Sequence, residues 1–184
     1  MLRPALIADA PAILDLRDAL ADWHASRGIS QWRRAQIPLS EIEAQIADGQ
    51  WHVLDGAGGI DAACRVLDED PTFWEDSDSA DAGYIHGLMV ARSRSGEGLG
   101  ARVLDFAEGV IADRGWSSAR LDCMAANPGL RSYYEGRGYA LQGIRAFPPD
   151  SGRYPAALFE KSLRREQRTR GIAVTAPCDG DIRR

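Results

Sequence analysis

The sequence predicts an α/β (α+β) domain, a mixed central sheet with helices packed on it. Three observations carry this. Apolar residues recur at helical spacing in some stretches and as short alternating or β-branched runs in others, and the two kinds interleave in the order ααββ-β-α-β-α-ββ. The length of 184 residues suits one domain with a sizeable core. A hydrophobic share of 45% beside a charged share of 27% is that of an ordinary globular protein, not a disordered one.

The elements follow in order. Asp9 as N-cap, Pro11 close behind and the apolar face Ile13, Leu14, Leu20, Trp23 predict a helix over 10–26, ended by Gly28. Ser40 with Glu43 reads as a capping box for a second helix through about Asp48. "WHVLDGAGGIDAACRVLDED" reads as a hairpin, with strands at 51–55 and 59–67 about a glycine-rich turn. The acidic loop "DEDPTFWEDSDSAD" is too polar to pack, and the strand "GYIHGLMV" follows it. Leu99, Val103, Phe106, Val110 and Ile111 mark a helix that Gly115 stops, and "SARLDCMAA" is a strand. Asn127 and Pro128 open a short helix that ends before Gly138. "YALQGIRAF" and "AALFEKSL" are the last two strands, antiparallel if they form a hairpin. Residues 164–184 lack an amphipathic period and are expected as a flexible C-terminal tail to a domain over 1–163.

Composition excludes several classes. The net charge is −5, and the tail segment holds six arginines against Glu166, Asp179 and Asp181, so the body is more acidic than the whole. An acidic body argues against nucleic acid as the main partner, because phosphate binding needs a basic surface. No window approaches eighteen apolar residues, and the N-terminal stretch carries acids where a signal peptide is apolar, so the expectation is a cytoplasmic protein with no membrane partner. Cys64, Cys123 and Cys178 suit free thiols in a reducing compartment. With no CxxC and no paired spacing among His24, His52 and His86, no metal site is expected.

The segment "HGLMVARSRSGEGLGARVLDFAEG" runs a strand into a glycine turn and then directly into a helix. The amides of a first helical turn lack helical partners and sit at the positive end of the dipole, so the turn is an anion site, and Gly96, Gly98 and Gly100 leave the backbone uncovered. "GEGLGA" also satisfies the dinucleotide fingerprint, with Asp122 placed for a ribose hydroxyl. Against that reading, "ARSRS" separates the strand from the glycines and little chain remains for a second βαβ half. A P-loop is excluded, since no Lys-Ser or Lys-Thr follows.

The block 84–139 resembles the acetyl-coenzyme A site of the GCN5-related N-acetyltransferase (GNAT) superfamily. Leu88-Met89-Val90 stands where that family ends a strand in Leu-x-Val, and Ser95-Gly96-Glu97-Gly98-Leu99-Gly100 stands at its glycine motif. Asn127, Leu130, Tyr133, Tyr134, Glu135, Gly138 and Tyr139 match its second motif. Ser95 replaces the usual Arg or Gln, Arg92 stands where Pro is common, and Arg94 falls one residue early with its guanidinium in reach of a diphosphate.

The resemblance implies a mostly antiparallel sheet splayed at the acetyl-CoA site, where a bulge parts the strand ending in Leu88-Met89-Val90 from the next one. It also implies acetyl transfer from acetyl-CoA to a primary amine of a small molecule or peptide, directly within a ternary complex. The backbone of Leu88, Met89 and Val90 would hold pantetheine and polarise the thioester. Arg94, Ser95, Gly96, Glu97, Gly98, Leu99 and Gly100 would hold the diphosphate, and Asn127 would bond near the pantetheine. Tyr134 sits at the general-acid position, with a phenol protonated at neutral pH. His86 is the candidate base: strand alternation puts Tyr84, His86, Leu88 and Val90 on one face, and an ordinary imidazole is largely neutral at pH 7. A core histidine accounts for His86 as well, and helix capping for Asn127. Trp23, Trp32 and Trp51 with Asp68, Glu69, Asp70, Glu75, Asp76 and Asp78 are candidates to frame a cationic acceptor. Cys123 lies near the site, but no His–Cys pairing suggests an acyl-cysteine route. A non-catalytic acetyl-CoA-binding sensor or interaction module is the alternative, and a homodimer is left open.

Overall fold

The structure is a computed structural model that describes residues 1–29, 31–76 and 81–163. The expected tail, Asp78 and Cys178 lie outside the described residues. The elements are β1 (Leu2–Pro4), α1 (Ala10–Ser26), α2 (Leu39–Ala47), β2 (Trp51–Gly56), β3 (Gly59–Leu67), β4 (Ala82–Val90), α3 (Leu99–Asp113), β5 (Ser118–Met124), α4 (Pro128–Gly136), β6 (Ala140–Arg145) and β7 (Ala156–Ser162).

Two expected caps are not made. Asp9 gives its carboxylate to Arg3, at 2.7 and 3.1 Å, and to the Leu6 amide at 2.7 Å, so α1 starts without a side-chain cap. Ser40 lies inside α2, which begins a residue earlier at Leu39 after Pro38, and no capping box forms. Asn127 does cap α4, its Oδ1 accepting from the Leu130 amide at 3.0 Å.

Among the described residues the sheet has seven strands in the order β1-β2-β3-β4-β5-β7-β6. Every pair is antiparallel except β4–β5. The short edge strand β1 has no counterpart in the sequence reading, because three residues carry no periodicity. The last two strands pair as expected, but β7 inserts between β5 and β6.

On one face α3 buries Leu99, Val103, Leu104, Ala107 and Ile111 against Val66, Ile85, Leu121 and Phe159. On the other, α1 and α2 bury Ile13, Leu16, Ile42 and Ile46 against Trp51, Val53 and Met89. Each large apolar side chain so buried contributes about 1.5 to 3 kcal/mol. The acidic loop after β3 is not purely solvated. Trp74 and Asp70 are buried, and Trp74 packs with Ala82 and Tyr84 under the Arg120 guanidinium, 4.3 Å from its ring.

The parallel pair is short. β4 pairs with β5 only from Ala82 to Ile85, after which β4 stays with β3 while β5 stays with β7 through Met124. The two strands splay apart, leaving the β5-side edge of β4 unpaired along His86–Val90.

A bulge lies at the start of this edge. Arg65 faces His86 and Ala63 faces Met89, so three steps along β4 match two along β3. Gly87 takes up the extra residue at φ 55°, in the left-handed region. A Cβ there would stand 3.3 Å from the Trp51 ring. The bulge also reverses the alternation of the strand. Leu88 and Val90 pack with Ile85 toward α3, and Met89 faces α1 and α2. His86, opposite Arg65, is therefore on the other face from Leu88 and Val90, and the expectation of one shared face is corrected.

Candidate active site

A cleft of about 370 Å³ opens where β4 and β5 part. Residues from both faces of the sheet line it: Trp51, His86 and Met89 from the α1/α2 side, and Gly100, Leu130 and Tyr134 from the α3/α4 side. A splay that runs through the sheet lets two ligands approach one point from opposite sides.

His86 stands between two carboxylates. Its Nε2 is 2.9 Å from Asp70 Oδ2 and its Nδ1 is 3.7 Å from Asp122 Oδ1. Asp70 reaches it from the loop after β3, whose turn it stabilises by accepting from the Phe73 amide at 3.3 Å. Asp122 projects from β5 on the face opposite Leu121 and Cys123. Burial disfavours the imidazolium, but the hydrogen bond to Asp70 and the charges of Asp122 and Asp70 outweigh it, so the His86 pKa is raised from 6.5. Burial likewise pushes the Asp122 carboxyl up to about 6, His86 opposing and Asp70 adding to the rise.

When the neutral ring donates Nε2–H to Asp70, its Nδ1 is the proton acceptor, on the side where Asp122 lines the cleft. The donor atoms of Asp70, His86 and Asp122 lie within 4.8 Å of one another, a spacing a metal ion would also accept, but the direct 2.9 Å contact is that of a hydrogen bond.

The glycine turn precedes α3 as expected. Gly96 and Gly98 have φ of 89° and 74°, and a Cβ at either would meet nothing within 4 Å, so the space above the turn is open. Gly98 is the helix N-cap and offers no side-chain acceptor, and the Arg102 amide closes the first helical bond onto its carbonyl. The amides of Leu99, Gly100 and the next residue are thus left to an external acceptor. Arg94 is not held toward this space: its guanidinium bonds Glu97 at 2.7 to 2.9 Å and also pairs with Asp61. Ser95 ends the short 3-10 turn Arg92–Arg94 ahead of the glycines.

Tyr134 lines the cleft and is otherwise buried by Tyr133, Tyr139 and Phe159, with ring centroids 5.4 to 6.0 Å away. Burial, together with the neighbouring Cys123 and Asp122, raises its pKa, so the phenol keeps its proton at neutral pH. Of the adjacent pair Tyr134 is the buried one, and Tyr133 is exposed. Burial pushes the Cys123 thiol up to about 11, which leaves no thiolate for an acyl-cysteine.

Trp32 and Trp51 line the cleft, whereas Trp23 stacks under Arg92 at 4.1 Å instead. Glu75 and Asp76 pair with Arg145 and Arg120, and Asp68 pairs with Arg114 away from the cleft. The partners that the sequence did not connect to His86 are Asp70 and Asp122; only their acidity, beside a histidine on a predicted strand, hinted at it. Arg17 and Arg65, which also line the cleft, carried no sequence signal.

The sheet is mostly antiparallel and splayed beside a glycine turn that opens a helix, and one parallel pair among the described strands excludes the doubly wound dinucleotide alternative. The sequence matches the acetyltransferase (GNAT) family over residues 18–139. It is 34% identical over 170 residues to an uncharacterized N-acetyltransferase of Bacillus subtilis (strain 168), YesJ, covering 89% of this chain and 90% of that one. Among solved structures, a GNAT-family acetyltransferase of Listeria monocytogenes 4b F2365 superposes with a TM-score of 0.73 at 27% identity, covering 89% of this chain and 94% of that one. N-acetylglutamate synthase of Neisseria gonorrhoeae, solved with coenzyme A and N-acetyl-glutamate, shares the fold with a TM-score of 0.63 at 19% identity, over 90% of this chain and 35% of that one. The chain belongs to the GNAT acetyltransferase family and is an acyltransferase.

Proposed function

We propose that the protein transfers an acetyl group from acetyl-CoA to a primary amine, directly within a ternary complex. The observation that carries this reading is that His86, held by Asp70 and flanked by Asp122, lines the same cleft as Tyr134. The family supports acetyl-CoA as donor, and the open space over Gly96 and Gly98 suits its diphosphate.

Acetyl-CoA supplies the reactive thioester; this chain's residues position it and move protons. The amides of Leu99 and Gly100 face the phosphates, and the unpaired edge of β4 from Leu88 to Val90 offers backbone groups to pantetheine and to the thioester oxygen. Asn127 lies at the start of α4, fixed by its cap bond.

The amine enters from the α1/α2 side. Nδ1 of His86 takes the amine proton, directly or through water, while Asp70 holds the ring and Asp122 stabilises the imidazolium. Tyr134 gives its proton to the departing thiolate, so the nitrogen–acetyl bond forms as the sulfur–acetyl bond breaks and charge is conserved.

The test is thiol release over a panel of primary amines, with acetyl-CoA binding followed separately. His86→Gln and Tyr134→Phe are expected to lose turnover while retaining acetyl-CoA binding. Tight acetyl-CoA binding with no turnover of any amine would instead favour a non-catalytic acetyl-CoA-binding module.

A further inference from the structure

The floor of the cleft on the α1/α2 side holds a charge that the transfer chemistry does not use. Arg17, on α1, lines the cleft with its side chain 9% exposed. Its recorded hydrogen bonds go to neutral oxygens, the Arg33 carbonyl at 3.3 Å and Gln36 Oε1 at 2.9 Å. Among the described residues no carboxylate oxygen lies closer to it than Asp18 Oδ1, at 4.0 Å, and Asp18 is already engaged by the Ala35 amide at 3.1 Å. Burial draws the Arg17 pKa down, with only the charges of Asp18 and Glu41 opposing.

Arg65, from β3, lines the same cleft beside Trp51. Its Nη2 bonds Gln50 at 2.5 Å, and its Nε is buried without a partner among the described residues. Asp18 and Glu41, which also lines the cleft, support the Arg17 guanidinium through space without a hydrogen bond among the described residues, and a neutral side chain would tether the Arg33–Gln36 loop at less expense. Planar, multiply donating cations of this kind match a carboxylate. In the same cleft His86 lies directly across the β3–β4 pair from Arg65, and Asp122 flanks the imidazole, so a proton acceptor and the guanidinium donors line one space. Together they are complementary to a molecule that carries both an amine and a carboxylate.

We propose that the acceptor is a small amine that also carries a carboxylate, with Arg17, aided by Arg65, holding the carboxylate while the nitrogen faces His86. This assignment rests on the acetyltransferase reading of the same cleft. Trp32, whose ring lies 5.5 Å from the Arg17 guanidinium, lines the cleft beside it.

The test uses the full chain with saturating acetyl-CoA and thiol release as the readout. The acceptors are the common α-amino acids and 4-aminobutyrate, each paired with its amide or its decarboxylated amine. For the pairs that turn over, the carboxylate member is expected to have a kcat/KM about tenfold to a hundredfold higher, the range of a charge-assisted hydrogen bond. Arg17→Gln is expected to shrink that ratio toward one by raising the KM for the carboxylate member, with the KM for acetyl-CoA unmoved. Arg17→Lys, which keeps the charge but loses the planar fork, is expected to fall between. Thermal unfolding of each variant shows that it is folded.

Equal or better turnover of the members lacking the carboxylate by the wild-type protein would overturn the proposal alone, leaving acetyl transfer intact. A loss shared equally by both members in Arg17→Gln would do the same and make Arg17 only a tether for the 33–36 loop. Acetyl-CoA binding with no amine of either series acetylated would remove the acetyltransferase reading itself.

Discussion

Asp70→Asn isolates the electrostatics of the proposed base. The amide keeps an acceptor oxygen where Asp70 Oδ2 now stands, 2.9 Å from His86 Nε2, but removes the charge. A hydrogen bond to a charged partner is worth about 1.5 to 3 kcal/mol, and the neutral bond that remains about 0.5 to 1.5 kcal/mol. The imidazolium therefore loses about 1 to 2 kcal/mol of support, which corresponds to a fall of about one pKa unit. His86 must be neutral to take a proton, so the wild-type rate rises with pH through its raised pKa. In the variant that acid limb is expected to move about one unit toward lower pH. Nuclear magnetic resonance can follow the ring directly, because burial lowers the pKa of both His24 and His52 and leaves His86 as the high-titrating histidine.

Stability follows the same sign. A folded-state pKa raised above the unfolded 6.5 contributes stability that is fully present below pH 6.5 and is lost as pH rises through the folded value. The difference in denaturation midpoint between wild type and variant is thus expected to be wider near pH 6 than near pH 9. An acid limb that stays in place in Asp70→Asn, or one that survives in His86→Gln, would refute the assignment of His86 as the base.

Tyr134→Phe keeps the buried ring among Tyr133, Tyr139 and Phe159 but removes the acid; kcat is expected to fall about a hundredfold or more, measured by thiol release, with the melting temperature little changed. Gly98→Ala adds a Cβ to a residue at φ 74° with open space above it, so the cost is conformational, about 1 to 2 kcal/mol by denaturant titration, and it is expected to appear with a raised KM for acetyl-CoA. Gly83→Ala would put a Cβ 2.7 Å from both Ile111 and Trp116, and overpacking of this kind is expected to cost about 1 to 3 kcal/mol without moving the pH profile.

The periodicity of α1, α3 and the strands β2 to β7, the glycine turn before α3 and the Asn127 cap were all legible in the sequence, because each depends on residues a few positions apart. Local signals also misled where a distant partner competed. Asp9 has the chemistry of a cap, yet Arg3 and the Leu6 amide hold it; the acidic loop reads as solvated, yet Asp70 turns inward to His86.

The site itself is a product of tertiary structure. Strand alternation put His86 and Leu88 on one face, and the bulge at Gly87 separates them, since one extra residue in a period of two sends everything after it to the opposite side. The meeting of Asp70, His86 and Asp122, and of Arg17 with Arg65, joins residues far apart in the chain through sheet register and helix docking. Periodicity within one element determines which residues are buried, and only the pairing between elements decides which buried charges face one another.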